Sequence, residues 1–292
     1  MLDFDQPLYR PPSEGNNLIL QATLGCSFNR CSFCSMYRSK SYQARPIEDV
    51  FEDVERAATA WPDARRIFLA DGDALTLPTG HLMKLLEKLD QSFPMLSRVS
   101  SYATPANLRR KSIAELTELR ENRLNLVYLG IESGSDLILK KITKGANRRS
   151  LREAMVSART AGIKVSGTVI LGLGGAEYWE EHIDGTLALL SEAPLTYLST
   201  LQLFLEDTVR QEFAEKFGES FQRQNDRGIL LEQARLVGGL DPPEPVIFRS
   251  NHASNALALA GNLPRDRDAL LRQIDVILKG APGIRPAYLR GL

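Results

Sequence analysis

Cys26, Cys31 and Cys34 are the only cysteines in a chain of 292 residues, and they fall within nine positions, in the stretch TLGCSFNRCSFCSMY. Thiolates are ligands for soft metals and iron–sulfur clusters. Three of them on one short loop can converge on one object. With no fourth cysteine in the sequence, that object keeps one open coordination position, the arrangement of a catalytic cluster more than of a closed structural one. The competing readings are a zinc site, a disulfide or three unrelated buried thiols. Structural zinc takes four protein ligands, and His81, the nearest histidine, is distant in sequence. Three core cysteines would not be expected to crowd a polar loop rich in Ser, Asn and Arg. The residues favour an iron–sulfur cluster.

Other chemistry-bearing residues stand where strands end. Asp71-Gly72-Asp73, in FLADGDAL, is a turn with two carboxylates, although Asp-Gly also makes an ordinary capped turn. Glu132 closes an apolar run, and a carboxylate there needs a partner. Gly172-Leu173-Gly174-Gly175 follows the run GTVIL. It lacks the GxGxxG spacing and comes late in the chain, so it is weak evidence for a nicotinamide-type site; its plain alternative is a tight turn after a buried strand. Arg249, Asn251, His252 and Asn255 form a dense polar cluster in FRSNHASN. Arginine could grip a carboxylate or phosphate, and histidine could donate a hydrogen bond or shuttle a proton. The alternative is a satisfied polar turn that fastens the C-terminal region. His81 and His182 fall in helical stretches and read as surface or packing residues.

The elements that position these groups follow from periodicity. Leu18–Leu24, Arg66–Ala70, Arg98–Tyr102, Leu126–Ile131, Ile163–Leu171 and Thr196–Phe204 read as strands. Helical spacing of apolar residues places helices between them: Pro46–Ala60, with Pro46 suited to the first turn; a helix capped by Thr79; and Glu177–Leu190. Capping-box patterns, Ser112 with Glu115 and Ser150 with Glu153, open two more, and Gly162 suits the position just after the second. Six β/α units in about 190 residues give a parallel sheet. Strands buried on both faces explain the near-continuous apolar runs. An open doubly wound sheet and a partial barrel both fit. Residues 1–17 read as a polar, proline-containing arm on the surface. Beyond Leu205 the pattern changes to helices around Phe213 and Leu231, the prolines Pro242, Pro243 and Pro245, a short strand in VIFRSNHASN, and a last helix carrying Leu270, Leu271, Ile274 and Ile277.

With the three cysteines placed after the first strand, the chain resembles the radical S-adenosylmethionine (SAM) superfamily, whose fold is a (β/α)6 partial TIM barrel. The resemblance covers residues 18–204 and leaves 205–292 as a C-terminal α/β extension that could cover the substrate. It implies that Cys26, Cys31 and Cys34 hold a [4Fe–4S] cluster whose fourth iron binds the amino and carboxylate groups of SAM. Reductive cleavage of SAM then yields a 5′-deoxyadenosyl radical that takes hydrogen from a substrate. Most members have three residues between the first two cysteines; this chain has four, Ser27, Phe28, Asn29 and Arg30. Phe33 matches the aromatic residue near the adenine. The turn Asp71, Gly72 and Asp73 matches the one that receives the SAM ammonium, through Asp73 or its backbone carbonyls. Gly130-Ile131-Glu132-Ser133-Gly134 resembles the GxESG segment of the subgroup containing coproporphyrinogen oxidases, methylthiotransferases and the elongator catalytic subunit. There Glu132 and Ser133 would lie near the ribose or methionine part of SAM. Ser166, Ile170 and Gly172 match the adenine-contacting strand. Each motif falls at the C-terminal end of an expected parallel strand, the face where ligands bind in α/β barrels and sheets.

Composition narrows the partners. Hydrophobic residues at 43% and charged residues at 25% suit a soluble globular protein with an ample core. Lys+Arg and Asp+Glu both number 36, so no basic field draws nucleic acid or an anionic membrane. The start has no cationic and apolar leader, and no apolar run is long enough for a membrane helix. A clustered, odd cysteine set then points to a reducing cytoplasm. No cysteines remain for a second cluster, which disfavours sulfur insertion. The expectation is a radical SAM enzyme acting on a small molecule, with Arg249 and His252 as candidate catalytic residues and a low-potential donor such as flavodoxin or ferredoxin. A cluster- and SAM-containing haem or porphyrin chaperone is the non-catalytic alternative, and a nicotinamide oxidoreductase built on the GLGG turn is a third reading.

Overall fold

The computed structural model describes residues 2–193, 195–218, 221–242 and 244–291; Pro243 lies outside the described residues. In chain order the first elements are β1 (Leu18–Gln21), β2 (Thr23–Leu24), β3 (Gln43–Ala44), α1 (Ile47–Ala60), β4 (Arg66–Ala70), α2 (Thr79–Ser92), β5 (Arg98–Ala103), α3 (Pro105–Arg110), α4 (Ile113–Glu121) and β6 (Leu124–Glu132). Then follow α5 (Asp136–Lys141), α6 (Arg148–Thr160), β7 (Lys164–Leu171), α7 (Trp179–Glu192), β8 (Tyr197–Gln202), α8 (Asp207–Phe217), α9 (Asp226–Gly239), β9 (Val246–Ser250), β10 (Leu259–Leu263) and α10 (Arg267–Leu278). The main sheet has eight strands in the order β1-β4-β5-β6-β7-β8-β9-β10, and β2 pairs with β3 in a separate ribbon. The alternation of strand and helix makes the fold α/β with a mostly parallel sheet, as the β/α periodicity requires.

The chain packs into two compact units. The first comprises Met1–Asn29, Met36–Leu129 and Glu153–Val165. Here β1, β4, β5 and the beginning of β6 run parallel, with Leu20 beside Leu69 and Ser101 beside Val127. Ile19, Leu20, Ile67, Phe68, Leu69, Val99 and Val127 are buried, which is why these strands read as unbroken apolar runs. Helix α1 buries Val50, Val54 and Ala57, one face at helical spacing. Pro46 precedes it as N-cap, one position earlier than expected. Thr79 does not cap α2; Pro78 holds that position, and the Thr79 hydroxyl donates instead to Glu115 at 2.7 Å. The capping box of Ser112 and Glu115 forms as expected. The N-terminal arm departs from its reading as a surface loop. Glu14 is wholly buried, because its carboxylate receives the Tyr128 hydroxyl at 2.5 Å, Ser100 Oγ at 3.0 Å and the Arg98 guanidinium at 2.8 Å. A carboxylate supplied with three donors can leave water.

The second unit comprises Arg30–Ser35, Gly130–Arg152 and Ser166–Leu292. Strands β7, β8 and β9 are parallel, and β10 returns antiparallel to β9. The core includes Leu171, Ile183, Ile229 and Leu236, with Leu187 packed against it. Phe213, Phe217 and Phe221 stack edge and face with centroids 4.8–5.4 Å apart. Helix α6 begins at Arg148, so the expected Ser150–Glu153 box is displaced. Asn147 and Ser150 exchange backbone and side-chain bonds in its place, at 2.8 and 2.9 Å.

Candidate functional site

In the first unit the turn after β4 grips the first part of the cysteine loop. Asp71 and Asp73 are fully buried. Asp71 Oδ2 accepts the Gly25 N–H at 3.1 Å and Lys40 Nζ at 2.8 Å. Burial outweighs both bonds and raises the Asp71 pKa. The Tyr37 phenol is raised as well, by its own burial and then by the charge of Asp71. Asp73 accepts the Ser27 N–H at 3.0 Å, the Ser27 hydroxyl, and Thr76 Oγ1 at 2.8 Å. Gly72 is required by close approach: a Cβ there would stand 2.9 Å from Cys26 Cβ and 2.9 Å from the Gly25 carbonyl. The two aspartates therefore engage the backbone on either side of Cys26. That connection follows from no spacing rule, because 46 residues separate the partners.

In the second unit a cation that the sequence did not single out lies within electrostatic reach of the remaining cysteines. Glu132, at φ 61°, is 7% exposed. Its Oε1 lies 2.8 Å from Lys144 Nζ. The Lys144 side chain is only 12% exposed; burial acts to lower its pKa, but Glu132 and the charges of Cys31 and Cys34 outweigh it and hold the ammonium well above the ordinary lysine range. The signal in the sequence was a lysine 12 residues beyond Glu132, in KKITKG, which reads like any basic helix end. Ser32, between these cysteines, donates its N–H to the Ile142 carbonyl at 3.0 Å and ties the loop to the same segment. Phe33 is half-buried beside it.

The strand ends β6 and β7 are held by α7 and α9. His182 on α7 is fully buried, a packing residue and not a surface one, and it is hydrogen-bonded through both ring nitrogens. Its Nδ1 lies 2.8 Å from Ser133 Oγ and its Nε2 lies 3.0 Å from the Ile170 carbonyl. Burial lowers its pKa to about 4. Gly172, at φ 82°, donates its N–H to Glu232 Oε2 at 2.6 Å; burial raises that carboxyl to about 8, against the opposing bonds from Gly172 and Gln224. Ser166 is buried on β7 beside Tyr197.

The polar cluster of the C-terminal region divides. Asn255 is buried and locks the sheet: its Oδ1 accepts the Gln202 N–H at 2.7 Å, and its Nδ2 donates to the Thr200 carbonyl and to Ser250 Oγ at 2.8 and 2.9 Å. Arg249 is exposed, and its Nη1 donates to the Phe248 and Gly261 carbonyls. His252 is half-buried against Ser254, and burial and then Arg285 lower its pKa. Asn251 is exposed.

Comparison with known proteins decides the family. The radical SAM superfamily matches residues 20–190, more than half of the chain. The chain belongs to the radical SAM superfamily. Among its relatives is a putative methylthiotransferase of Methanocaldococcus jannaschii, 32% identical over 187 residues that span 58% of this chain and 40% of that protein. A heme chaperone of Bacillus subtilis is 25% identical over 56% of this chain and 45% of its own length. In fold, the chain is similar to coproporphyrinogen III oxidase of Escherichia coli, with a TM-score of 0.58 at 16% identity, covering 76% of this chain and 52% of that one. The chain thus spans less than half the length of these two sequence relatives. No helix among the described residues is long and apolar enough to cross a membrane.

The radical SAM superfamily works with a [4Fe–4S] cluster and SAM, and the residues present fit that pair. No cysteine of the loop is in a disulfide. Among the described residues no group of three His, Cys, Asp or Glu side chains is placed to hold a single metal ion. The largely buried Lys144 ammonium places a positive charge within electrostatic reach of Cys31 and Cys34.

Proposed function

We propose that this chain is a radical SAM enzyme that acts on a small-molecule substrate. Cys26, Cys31 and Cys34 would hold the [4Fe–4S] cluster through their thiolates, leaving one iron open for SAM. When bound, the cluster and SAM supply reductive cleavage of SAM to methionine and a 5′-deoxyadenosyl radical that abstracts hydrogen. The observation that supports this reading is the anchored cysteine loop: buried Asp71 and Asp73 hold Gly25 and Ser27 on either side of Cys26, and the Ile142 carbonyl holds Ser32 between Cys31 and Cys34.

The protein's own groups then have distinct tasks. Asp71 and Asp73 fix the backbone around Cys26. With both oxygens of Asp73 so engaged, the backbone carbonyls of the turn receive the SAM ammonium. Glu132 lies toward the ribose or methionine part, Phe33 toward the adenine, and Ser166, Ile170 and Gly172 line the adenine side. Arg249 and His252 contact substrate, and the exposure of Arg249 leaves its guanidinium available to an acidic group. A low-potential flavodoxin or ferredoxin delivers the electron. Balanced charge, 36 basic against 36 acidic residues, supports a small molecule over nucleic acid.

Anaerobic reconstitution followed by SAM and dithionite tests the reading. Formation of 5′-deoxyadenosine, with about one cluster per chain, is the expected result; a cluster-free protein or one that leaves SAM intact overturns it. Similarity to a heme chaperone favours one second reading, in which the cluster and SAM are retained and the chain binds haem. Stoichiometric haem uptake by a protein that forms no 5′-deoxyadenosine would select it.

A further inference from the structure

The two strand ends assigned to SAM are joined through one imidazole. The Nε2 of His182 is 3.0 Å from the Ile170 carbonyl oxygen. A carbonyl only accepts, so Nε2 carries the hydrogen. A neutral ring then leaves Nδ1 as a lone-pair acceptor, and the group 2.8 Å from it is Ser133 Oγ. The Ser133 hydroxyl must therefore donate to Nδ1. The same oxygen accepts the Ser135 N–H at 3.0 Å. Ser133 is fully buried, and its one hydroxyl hydrogen is already committed to the ring.

The next turn of α7 completes the fastening. Thr186 Oγ1 donates to the His182 carbonyl at 2.7 Å and accepts the Gly134 N–H at 2.9 Å. Gly134 and Gly185 bring the two backbones together: a Cβ on Gly134 would stand 2.2 Å from the Gly185 carbonyl oxygen, and one on Gly185 2.8 Å from the Ser135 nitrogen. No side chain but hydrogen fits at either position.

We propose that His182, as its neutral Nε2–H tautomer, is a positioning residue that locks the end of β6 to the end of β7, and that Ser133 serves this lock and does not touch SAM. The proposal rests on the assignment of those two strand ends to SAM. It predicts a direction of hydrogen bonding, Ser135 N–H to Ser133 O–H to His182 Nδ1, with Nε2–H to Ile170, that a side chain placed only to fill volume would not need.

The test combines spectroscopy on the wild-type holoprotein with a binding cycle. Nitrogen-15 labelling of the histidines in anaerobically reconstituted protein should show, as the signal lost in His182→Gln, a ring with a bare Nδ1 and a protonated Nε2 that does not titrate through neutral pH; His252, whose Nδ1 accepts the Ser254 N–H, keeps its own signal in that variant. SAM affinity, measured by equilibrium dialysis, should fall about ten-fold in Ser133→Ala and in His182→Gln, the effect of one lost buried hydrogen bond. The double variant should fall no further than either single one, and iron content should stay at the wild-type level in all three. Losses that multiply in the double variant would make Ser133 an independent SAM contact and overturn the lock. Wild-type SAM affinity in both single variants, or an imidazolium or Nδ1–H ring in the wild type, would overturn it too. If His182→Gln fails to fold, His182→Asn takes its place in the cycle. A wild-type holoprotein that does not bind SAM would instead remove the functional reading itself, and the lock with it.

Discussion

Lys144 Nζ and Glu132 Oε1 stand 2.8 Å apart, and the residue that makes room for their contact is Gly130. A Cβ at Gly130 would lie 2.1 Å from Glu132 Oε1 and 2.8 Å from Lys144 Nζ. The glycine that opens the GIESG segment is thus a matter of space for an ion pair, since its φ does not require glycine. The pair also explains how a carboxylate can end an apolar strand: the ammonium comes from the segment that follows α5.

Removing one partner of this pair should be worse than removing both. Lys144→Met leaves the Glu132 carboxylate buried without its cation and should destabilise the fold by roughly 3–5 kcal/mol. Adding Glu132→Gln should restore much of that loss while leaving SAM affinity low, because neither charge then remains to receive SAM. Thermal melts and SAM titrations of the two single variants and the double one check this. Equal melting of Lys144→Met and wild type would show that the ammonium is solvated and that the pair matters little.

The cysteine loop makes a sharper demand. Alanine at any of Cys26, Cys31 or Cys34 should remove most of the iron from reconstituted protein, since each thiolate completes the coordination of one iron. Asp73→Ala should also lower iron retention, although it is not a proposed ligand, because Asp73 holds the backbone and hydroxyl of Ser27, next to Cys26. Iron analysis and cluster absorbance give the answer. A triple-alanine variant with full cluster absorbance would end the assignment.

Glu232 gives the protein a pH signature. Its carboxyl titrates near pH 8 when folded and near the ordinary glutamate value of about 4.3 when unfolded. Between those values the folded state keeps a proton that the unfolded state has lost. Stability attributable to Glu232 is complete below the unfolded pKa and falls as pH rises toward the folded one, with a slope of at most about 1.4 kcal/mol per pH unit. Glu232→Gln should flatten the stability profile across that window. Denaturant melts of both proteins at about pH 5, 6, 7 and 8 measure it, and parallel profiles would place the carboxyl's titration elsewhere.

What the sequence made legible divides along a physical line. Residues acting through local periodicity could be read directly: the apolar runs of β4 and β6, the capping box of Ser112 and Glu115, and Gly162 at φ 78° after α6. The cysteines were legible because three rare residues crowd one loop. Partnerships set by topology were not. Nothing near Glu14 in the chain announces Tyr128, 114 positions away, and nothing near Gly172 announces Glu232, 60 positions away. His182 read as a surface or packing residue, since α7 carries Glu180 and Glu181 beside it; its bonds to Ser133 and Ile170 could not be read. Strand β10 was missed because LAGNL carries neither β-branched residues nor a clean alternation; its pairing with β9 defines it.

The C-terminal polar cluster should separate under mutation into a part that holds the fold and a part that meets substrate. Asn255 makes three hydrogen bonds, to Gln202, Thr200 and Ser250, across two strands and the turn after them. Asn255→Ala leaves buried backbone groups of β8 without partners, at about 1–3 kcal/mol for each group so stranded, and should lower the melting temperature by several degrees. Arg249 is an exposed side chain at the surface, so Arg249→Ala should shift stability by no more than about 0.5 kcal/mol. Both Arg249→Ala and His252→Ala should retain iron and the slow, substrate-independent cleavage of SAM. Both should lose the part of 5′-deoxyadenosine formation that substrate stimulates, because hydrogen abstraction is steeply sensitive to the placement of the reacting carbon. The comparison needs one substrate that stimulates the wild type, found by screening small carboxylic acids and phosphates for accelerated SAM cleavage. Full stimulation of both variants by that compound would assign the whole cluster, Arg249 and His252 included, to the folding role that Asn255 already has.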